Sequence, residues 1–192
     1  DVAIIAHVLF FCASDLSEDR CNELSAWAAA GIERYWSREI EFEGRALNAL
    51  VRVRTRPHNV LKIRLAEARR ARFARSHNSG VIRACVKYNS GFFRDQALAR
   101  EQFELTAAHE FGHSVLHASG GLRHSWGHKG TASVWLQRTR KSSPCYPEQG
   151  EIDLMCYYNR SSVGLHERIA RTRATQDDVV ALLELGLEAG RE

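Results

Sequence analysis

One segment of the chain, residues 97–118, predicts a single long helix that carries two histidines on one face. It ends at Ser119-Gly120-Gly121, and glycine is the residue that most often terminates a helix. His109 and His113 are four residues apart, so on a helix their imidazoles point about 40° apart and lie about 6 Å apart along the axis. Both ring nitrogens could then reach one metal ion at about 2.0–2.1 Å. We therefore expect a metal site on this helix.

The two histidines belong to an H-E-x-x-H motif, His109-Glu110-Phe111-Gly112-His113, which on a helix is typical of a zinc site. Zinc lowers the pKa of a bound water towards about 7, and a neighbouring carboxylate can take the proton of that water. We expect Zn²⁺ as the cofactor and Glu110 as the general base. The alternative is a buried helix with two incidental histidines, because short motifs also occur by chance.

A catalytic zinc site needs a third protein ligand. The longer pattern H-E-x-x-H-x-x-G-x-x-H would place glycine at position 116 and histidine at position 119, where this chain has Leu116 and Ser119. His117 lies about 12 Å along the axis from His109, too far for one ion on an unbroken helix. The candidates that remain are His124, His128, Glu151 and Asp153.

A second informative segment covers residues 150–158, Gly150-Glu151-Ile152-Asp153-Leu154-Met155-Cys156-Tyr157-Tyr158. Met155-Cys156-Tyr157 resembles the Met-turn beneath the zinc in astacin-like and serralysin-like metzincins. The resemblance implies that Met155 packs under the metal and that Tyr157 is a catalytic residue facing the substrate carbonyl. An ordinary core strand containing a methionine is the alternative.

The motifs H-E-F-G-H-S-V-L, S-W-G-H-K-G-T and G-E-I-D-L-M-C-Y-Y together resemble the zinc metallopeptidase domains appended to VgrG-type spike proteins of type VI secretion. The resemblance covers residues 103–158. It implies a zincin-like, metzincin-related fold with His109, His113 and Glu151 as zinc ligands. It also implies a secreted toxin that is part of a larger spike protein, delivered to the periplasm of a target bacterium or into a host cell. The start at Asp1 agrees with an excised domain.

Glu151 is the third ligand we expect, because two imidazoles and one carboxylate form a known catalytic zinc set. Asp153 has a shorter side chain, so we expect it to accept the second N–H of a ligand histidine. His128, in the turn Gly127-His128-Lys129-Gly130, is the next competitor for the metal, or else a substrate contact.

The order of predicted elements indicates one α+β domain over residues 1–192. A buried strand at 2–11 precedes an amphipathic helix at 17–38. Strands follow at 40–55 and 81–88, with a short helix or irregular loop at 64–75 between them. Strand or loop is expected at 123–136. A capping box from Thr175 to Asp178 opens a C-terminal helix at 179–188.

The net charge is +4, and the densest run of basic residues is an arginine-rich stretch at residues 52–75. Such a stretch could contact nucleic acid or acidic lipid, but it lacks interleaved aromatic residues. We therefore expect a solvated basic face and no nucleic-acid partner. The zinc motif instead leads us to expect a protein or peptide substrate. No apolar stretch approaches the roughly 18 residues of a membrane span, and none is expected.

The five cysteines form no C-x-x-C pair, so a structural zinc knuckle is not expected. Cys12 and Cys85 lie in apolar strands and are expected as buried thiols. Cys145 and Cys156 flank one loop and could form a bridge, although we do not expect one.

Two other functions fit the same residues. One is a zinc hydrolase that acts on a non-protein amide such as cell-wall peptide. The other is a partner-binding module with a vestigial metal site, whose binding would not change on Glu110→Gln.

Overall fold

A six-stranded mixed sheet carries the helices in the computed structural model, which describes residues 1–56, 60–68, 76–78, 84–89, 96–159 and 163–190. The strands are β1 (Val2–Cys12), β2 (Arg38–Phe42), β3 (Arg45–Thr55), β4 (Leu61–Ala68), β5 (His77–Asn78), β6 (Ala84–Asn89), β7 (Ile152–Asp153) and β8 (Thr172–Arg173). The helices are α1 (Glu18–Trp36), α2 (Gln96–Trp126), α3 (Leu165–Arg171) and α4 (Gln176–Ala189). The described residues therefore have the predicted α+β class.

The strand order in the large sheet is β2-β3-β1-β4-β6-β5. The four central strands are parallel, and β2 and β5 pair antiparallel at the two edges. Along β1 the side chains of Ile4, Ala6 and Val8 are buried, whereas Ile5 between them is exposed. This alternation shows that one face of the sheet forms the core. Strands β7 and β8 form a separate parallel pair.

Helix α1 begins after the N-cap residue Ser17, whose side chain accepts a hydrogen bond from the backbone of Arg20. Most of its predicted apolar stripe is buried, namely Leu24, Ala28, Ile32, Tyr35 and Trp36. The helix crosses α2 at Gly31, where a Cβ atom would lie 2.2 Å from the backbone oxygen of Glu104. Only glycine permits this approach, which fixes α2 against the core.

Helix α2 contains the helix predicted at 97–118 but continues to Trp126, so residues 123–126 are helical where a strand or loop was expected. Its regular path is broken at Gly121, which has a φ of 76° and a ψ of 178°. This extended left-handed conformation is accessible mainly to glycine. Residues 122–126 resume helical geometry on a new course, so the break redirects the chain after the two motif histidines.

Two other expectations need correction. Residues 61–68 form β4, not the start of a helix or irregular loop at 64–75. Arg69, Arg70, Arg72 and Arg75, in the arginine-rich stretch, lie outside the described residues. Cys12 is not a free thiol, because it forms a disulfide with Cys21.

The C-terminal helix agrees with the prediction in its start signal. Both hydrogen bonds of the capping box between Thr175 and Asp178 are present. None of the described helices is long and apolar enough to cross a membrane.

Candidate metal centre

Three histidines from two separate segments meet at the end of α2. His109 and His113 lie one turn apart on the helix, and His128 comes from the loop that follows it. One potential ligand nitrogen from each residue lies within 4.8 Å of the other two. The three side chains are therefore close enough to bind one metal ion.

The two helix histidines are oriented by hydrogen bonds from their Nδ1 atoms. Nδ1 of His109 lies 2.7 Å from the carbonyl oxygen of Leu154, which can only accept, so this nitrogen donates. Nδ1 of His113 lies 3.2 Å from the Ser125 hydroxyl, which itself donates to the His113 carbonyl oxygen at 2.9 Å. The hydroxyl therefore accepts from His113. In the neutral form of both rings, this arrangement places the proton on Nδ1 and the lone pair on Nε2.

His128 reaches the same place through an unusual backbone conformation. His128 and Lys129 have φ values of 46° and 55°, in the left-handed region that non-glycine residues rarely adopt. The His128 N–H donates to the Ser125 carbonyl oxygen at 3.1 Å, which closes the turn. Its Nδ1 lies 3.0 Å from the Trp126 carbonyl oxygen and must donate to it. In the neutral ring, Nε2 then carries the lone pair here also.

The spacing between the rings suits a metal ion. Nε2 of His109 and Nε2 of His128 lie 3.3 Å apart. Two nitrogens at about 2.0–2.1 Å from one tetrahedral ion are themselves about 3.3 Å apart. Two lone pairs at this distance repel each other unless a proton or a cation lies between them. Oxygen acceptors on Nδ1 are also the usual partners of metal-bound histidine.

Glu110 is buried beside the cluster, with 4% of its surface exposed. Its backbone oxygen accepts a hydrogen bond of 2.6 Å from the Asn78 side chain, which also contacts the Ser114 hydroxyl at 3.2 Å. Asn78 lies on the edge strand β5, so this strand is tied to α2 at the residue between the two ligands. The expected base is therefore a buried residue next to His109 in the chain, on a helix that contacts both α1 and β5.

Met155 packs directly against the helix turn that carries the histidines. It is fully buried, and a Cβ atom on Gly112 would lie 2.3 Å from its sulfur and 2.8 Å from the Trp36 ring. The preceding residue, Leu154, supplies the carbonyl that orients His109. The turn at residues 154–155 therefore supports the metal cluster by packing and by one hydrogen bond.

Tyr157 stacks on the third histidine. The ring centroids of Tyr157 and His128 are 3.7 Å apart at an interplanar angle of 27°. The Tyr157 N–H donates to the Thr131 hydroxyl at 2.7 Å, and this hydroxyl donates to the His128 carbonyl oxygen at 2.6 Å. The Tyr157 ring therefore covers one side of the three-histidine cluster, and its backbone helps to hold the His128 loop.

Lys129 anchors this loop to the rest of the chain. Its ammonium group contacts the carboxylates of Asp153 at 2.9 Å and Asp178 at 2.6 Å, and the Thr175 hydroxyl at 3.2 Å. Burial lowers the pKa of Lys129, but the two carboxylates more than offset this and raise it above the ordinary value. The charged lysine links the His128 loop, the 150–158 segment and the start of α4.

Glu151, the expected third ligand, does not join the two helix histidines. Its side chain is 58% exposed, and its carboxylate pairs with Arg38 at 2.9 Å. Asp153 also differs from expectation, because it binds Lys129, the Met155 N–H and the Cys156 thiol rather than a ligand histidine. The residue that lies with the two helix histidines is instead His128, the competitor in the Gly127–Gly130 turn.

Two sequence signals pointed to His128. The double glycine after α2 marks a break in the helix, and the glycines on both sides of His128-Lys129 mark a tight turn. Among the other histidines of this region, His117 lies outside the cluster as expected, and the candidate His124 does not belong to it either. Comparison with protein-family models, with curated proteins and with solved structures found no match for this chain.

Proposed function

We propose that the protein is a zinc-dependent peptidase whose metal is held by His109, His113 and His128. The observation that carries the proposal is the convergence of three imidazoles, which bring one potential ligand nitrogen each to within 4.8 Å of the others and have Nδ1 hydrogen-bonded to an oxygen atom. Three protein ligands with an open fourth position are the arrangement of catalytic zinc, whereas structural sites use four.

The chemistry of the donors favours zinc over the hard cations. Imidazole nitrogen suits zinc, copper, iron and nickel, whereas magnesium and calcium prefer oxygen ligands. The helical H-E-x-x-H motif favours zinc within that group. Three neutral imidazoles also leave the full +2 charge on the metal, which a carboxylate ligand would reduce to +1.

A bound zinc ion would supply Lewis acidity and lower the pKa of a water molecule in the open position. Glu110 is next to the ligands and is the group we assign to accept that proton and to pass it to the leaving amine. Its burial keeps bulk water away from the carboxylate. The hydroxyl of Tyr157, whose ring stacks on His128, is the group we assign to stabilise the oxyanion.

The biological setting is a proposal from the motif resemblance alone. The three motifs of residues 109–158 are similar to those of metallopeptidase domains on type VI secretion spike proteins. On this basis we propose a zincin-like effector that is exported and cleaves peptide bonds in the periplasm of a target bacterium or in a host cell.

The test of the proposed function compares Glu110→Gln with Glu101→Gln, a carboxylate nine residues earlier on the same helix. Zinc content and hydrolysis of an unfolded protein are measured for the parent and both variants. Glu110→Gln should keep zinc and lose at least about 100-fold in rate, because an amide cannot take the proton. Glu101→Gln should behave like the parent.

Three results would contradict the proposal. Full hydrolysis by Glu110→Gln would remove this residue from the mechanism. A second result is a parent that binds zinc and cleaves cell-wall peptide but leaves unfolded proteins intact. This result would indicate a zinc hydrolase that acts on a non-protein amide. Zinc binding with neither activity would indicate a binding module.

A further inference from the structure

A short hairpin follows the His128 loop and displays two large apolar side chains. Ala132 and Thr139 form an antiparallel bridge, and the backbone N–H of Ser133 donates to the Arg138 oxygen at 2.8 Å. Residues 133–138 form the connecting turn, which we call the tryptophan turn. Trp135 is 92% exposed and Leu136 is 69% exposed. The other three tryptophans of the chain are buried or half-buried.

The tryptophan turn is fixed by several hydrogen bonds. The Ser133 hydroxyl accepts from the Leu136 N–H at 3.1 Å. The Gln137 side chain donates to the Val134 oxygen at 2.8 Å and to the Trp126 oxygen at 3.2 Å, so the turn is attached to the end of α2. The apolar pair is therefore held in solvent by an ordered turn.

The surroundings of the tryptophan turn are basic. No acidic residue occurs between Glu110 and Glu148 in the sequence. Arg123, Arg138, Arg140 and Lys141 lie in this interval and are all exposed. Within the described part of the chain, none of these four cations forms an ion pair. The charge is thus available to an anionic partner.

We propose that the tryptophan turn docks on an anionic lipid surface, with Trp135 and Leu136 inserted at the headgroup level. Tryptophan is enriched at that depth because its ring is both apolar and polar. Each cation near an anionic leaflet adds about 1 kcal/mol, which is about fivefold in binding. A stable protein partner would instead need about 800 Å² of surface, far more than the two side chains of a convex turn provide.

This surface does not depend on the proposed peptidase activity, since none of its residues belongs to the histidine cluster. It is peripheral attachment, distinct from a membrane span. The effect would be to concentrate the protein at a membrane.

The experiment uses the full chain with vesicles of phosphatidylglycerol and phosphatidylcholine in equal parts, and with phosphatidylcholine alone. Co-sedimentation measures binding, and tryptophan emission reports insertion. The parent should bind the anionic vesicles with emission shifted to shorter wavelength, and should bind less tightly as salt is raised. Trp135→Ala/Leu136→Ala should weaken binding at least about tenfold, since burial of both side chains is lost.

Two controls separate insertion from general stickiness. Leu187→Ala removes another exposed leucine, on α4, and should bind like the parent. Trp135→Phe should still sediment with the vesicles but lose the emission shift. The proposal is overturned if the parent ignores anionic vesicles, if it binds both vesicle types equally, or if the double variant binds like the parent. If the parent does not bind anionic vesicles, the partner of the tryptophan turn would have to be a protein.

Discussion

Nε2 of His109 and Nε2 of His128 lie 3.3 Å apart although nineteen residues separate them in the sequence. The helix places only His109 and His113 together. The imidazole of His128 lies beside them for two reasons. Gly121 interrupts the regular geometry of α2, and His128 and Lys129 adopt left-handed backbone conformations. The metal cluster therefore depends on the loop as much as on the helix.

The first prediction concerns Lys129, which holds that loop. Lys129→Met leaves the carboxylates of Asp153 and Asp178 without their shared cation, and Asp178 is deeply buried. Removal of one partner from a buried ion pair costs about 3 kcal/mol. We expect the metal-free protein to lose this stability in denaturant unfolding and zinc affinity to fall at least about tenfold.

Lys141→Met is the matched control, because Lys141 is exposed and forms no ion pair within the described residues. It should leave stability and zinc affinity unchanged. Zinc affinity must be measured at a temperature at which Lys129→Met is folded. Lower stability with parent-like zinc affinity would show that Lys129 supports the fold without positioning His128.

The second prediction concerns the contact between Gly112 and Met155. In Gly112→Ala the new methyl group would lie 2.3 Å from the Met155 sulfur, so methionine or helix must move. Such overpacking costs about 1–3 kcal/mol. Gly186→Ala is the control, because nothing lies within 4 Å of its added methyl group on α4. It should stabilise the protein by about 0.5–1 kcal/mol. Equal effects of the two changes on thermal unfolding would contradict the packing described.

The third prediction concerns the cysteines. Burial and the adjacent Asp153 carboxylate raise the pKa of Cys156 to about 12, so at pH 8 it remains a thiol. Alkylation requires the thiolate. We expect iodoacetamide to modify the exposed Cys145 well before Cys156, and to modify Cys12 and Cys21 only after reduction of their disulfide. Peptide mass spectrometry measures all of these. Equal rates for Cys145 and Cys156, or labelling of Cys12 without reductant, would disagree with the structure.

Some of this molecule could be predicted from local pattern and some could not. Helix α2 follows from the helical pattern of residues 97–118 and its glycine stop, and the capping box at Thr175 is encoded in adjacent residues. Strand β4 also had a local signal, because apolar Ile63 and Leu65 alternate with basic Lys62 and Arg64. The structure buries the first pair and exposes the second. The basic composition of the segment favours a loop or short helix instead.

The glycines near His128 predicted a helix break and a turn, but they did not select the third ligand among the candidates. Its selection depends on how far a loop returns after the helix break, and tertiary contacts such as those of Lys129 decide this. Glu151 has the right chemistry for zinc, but its carboxylate is held outside by Arg38. The Cys12–Cys21 pairing likewise depends on how β1 meets α1, which spacing does not reveal.

The most direct test of the account is the zinc content and zinc affinity of His128→Ala and Glu151→Ala, measured beside the parent. The parent should hold one zinc ion per chain. His128→Ala should lose it or bind far more weakly, because only two protein ligands remain. Glu151→Ala should bind like the parent, because its carboxylate pairs with Arg38 away from the cluster. If His128→Ala binds zinc like the parent and Glu151→Ala loses it, the three-histidine site is wrong.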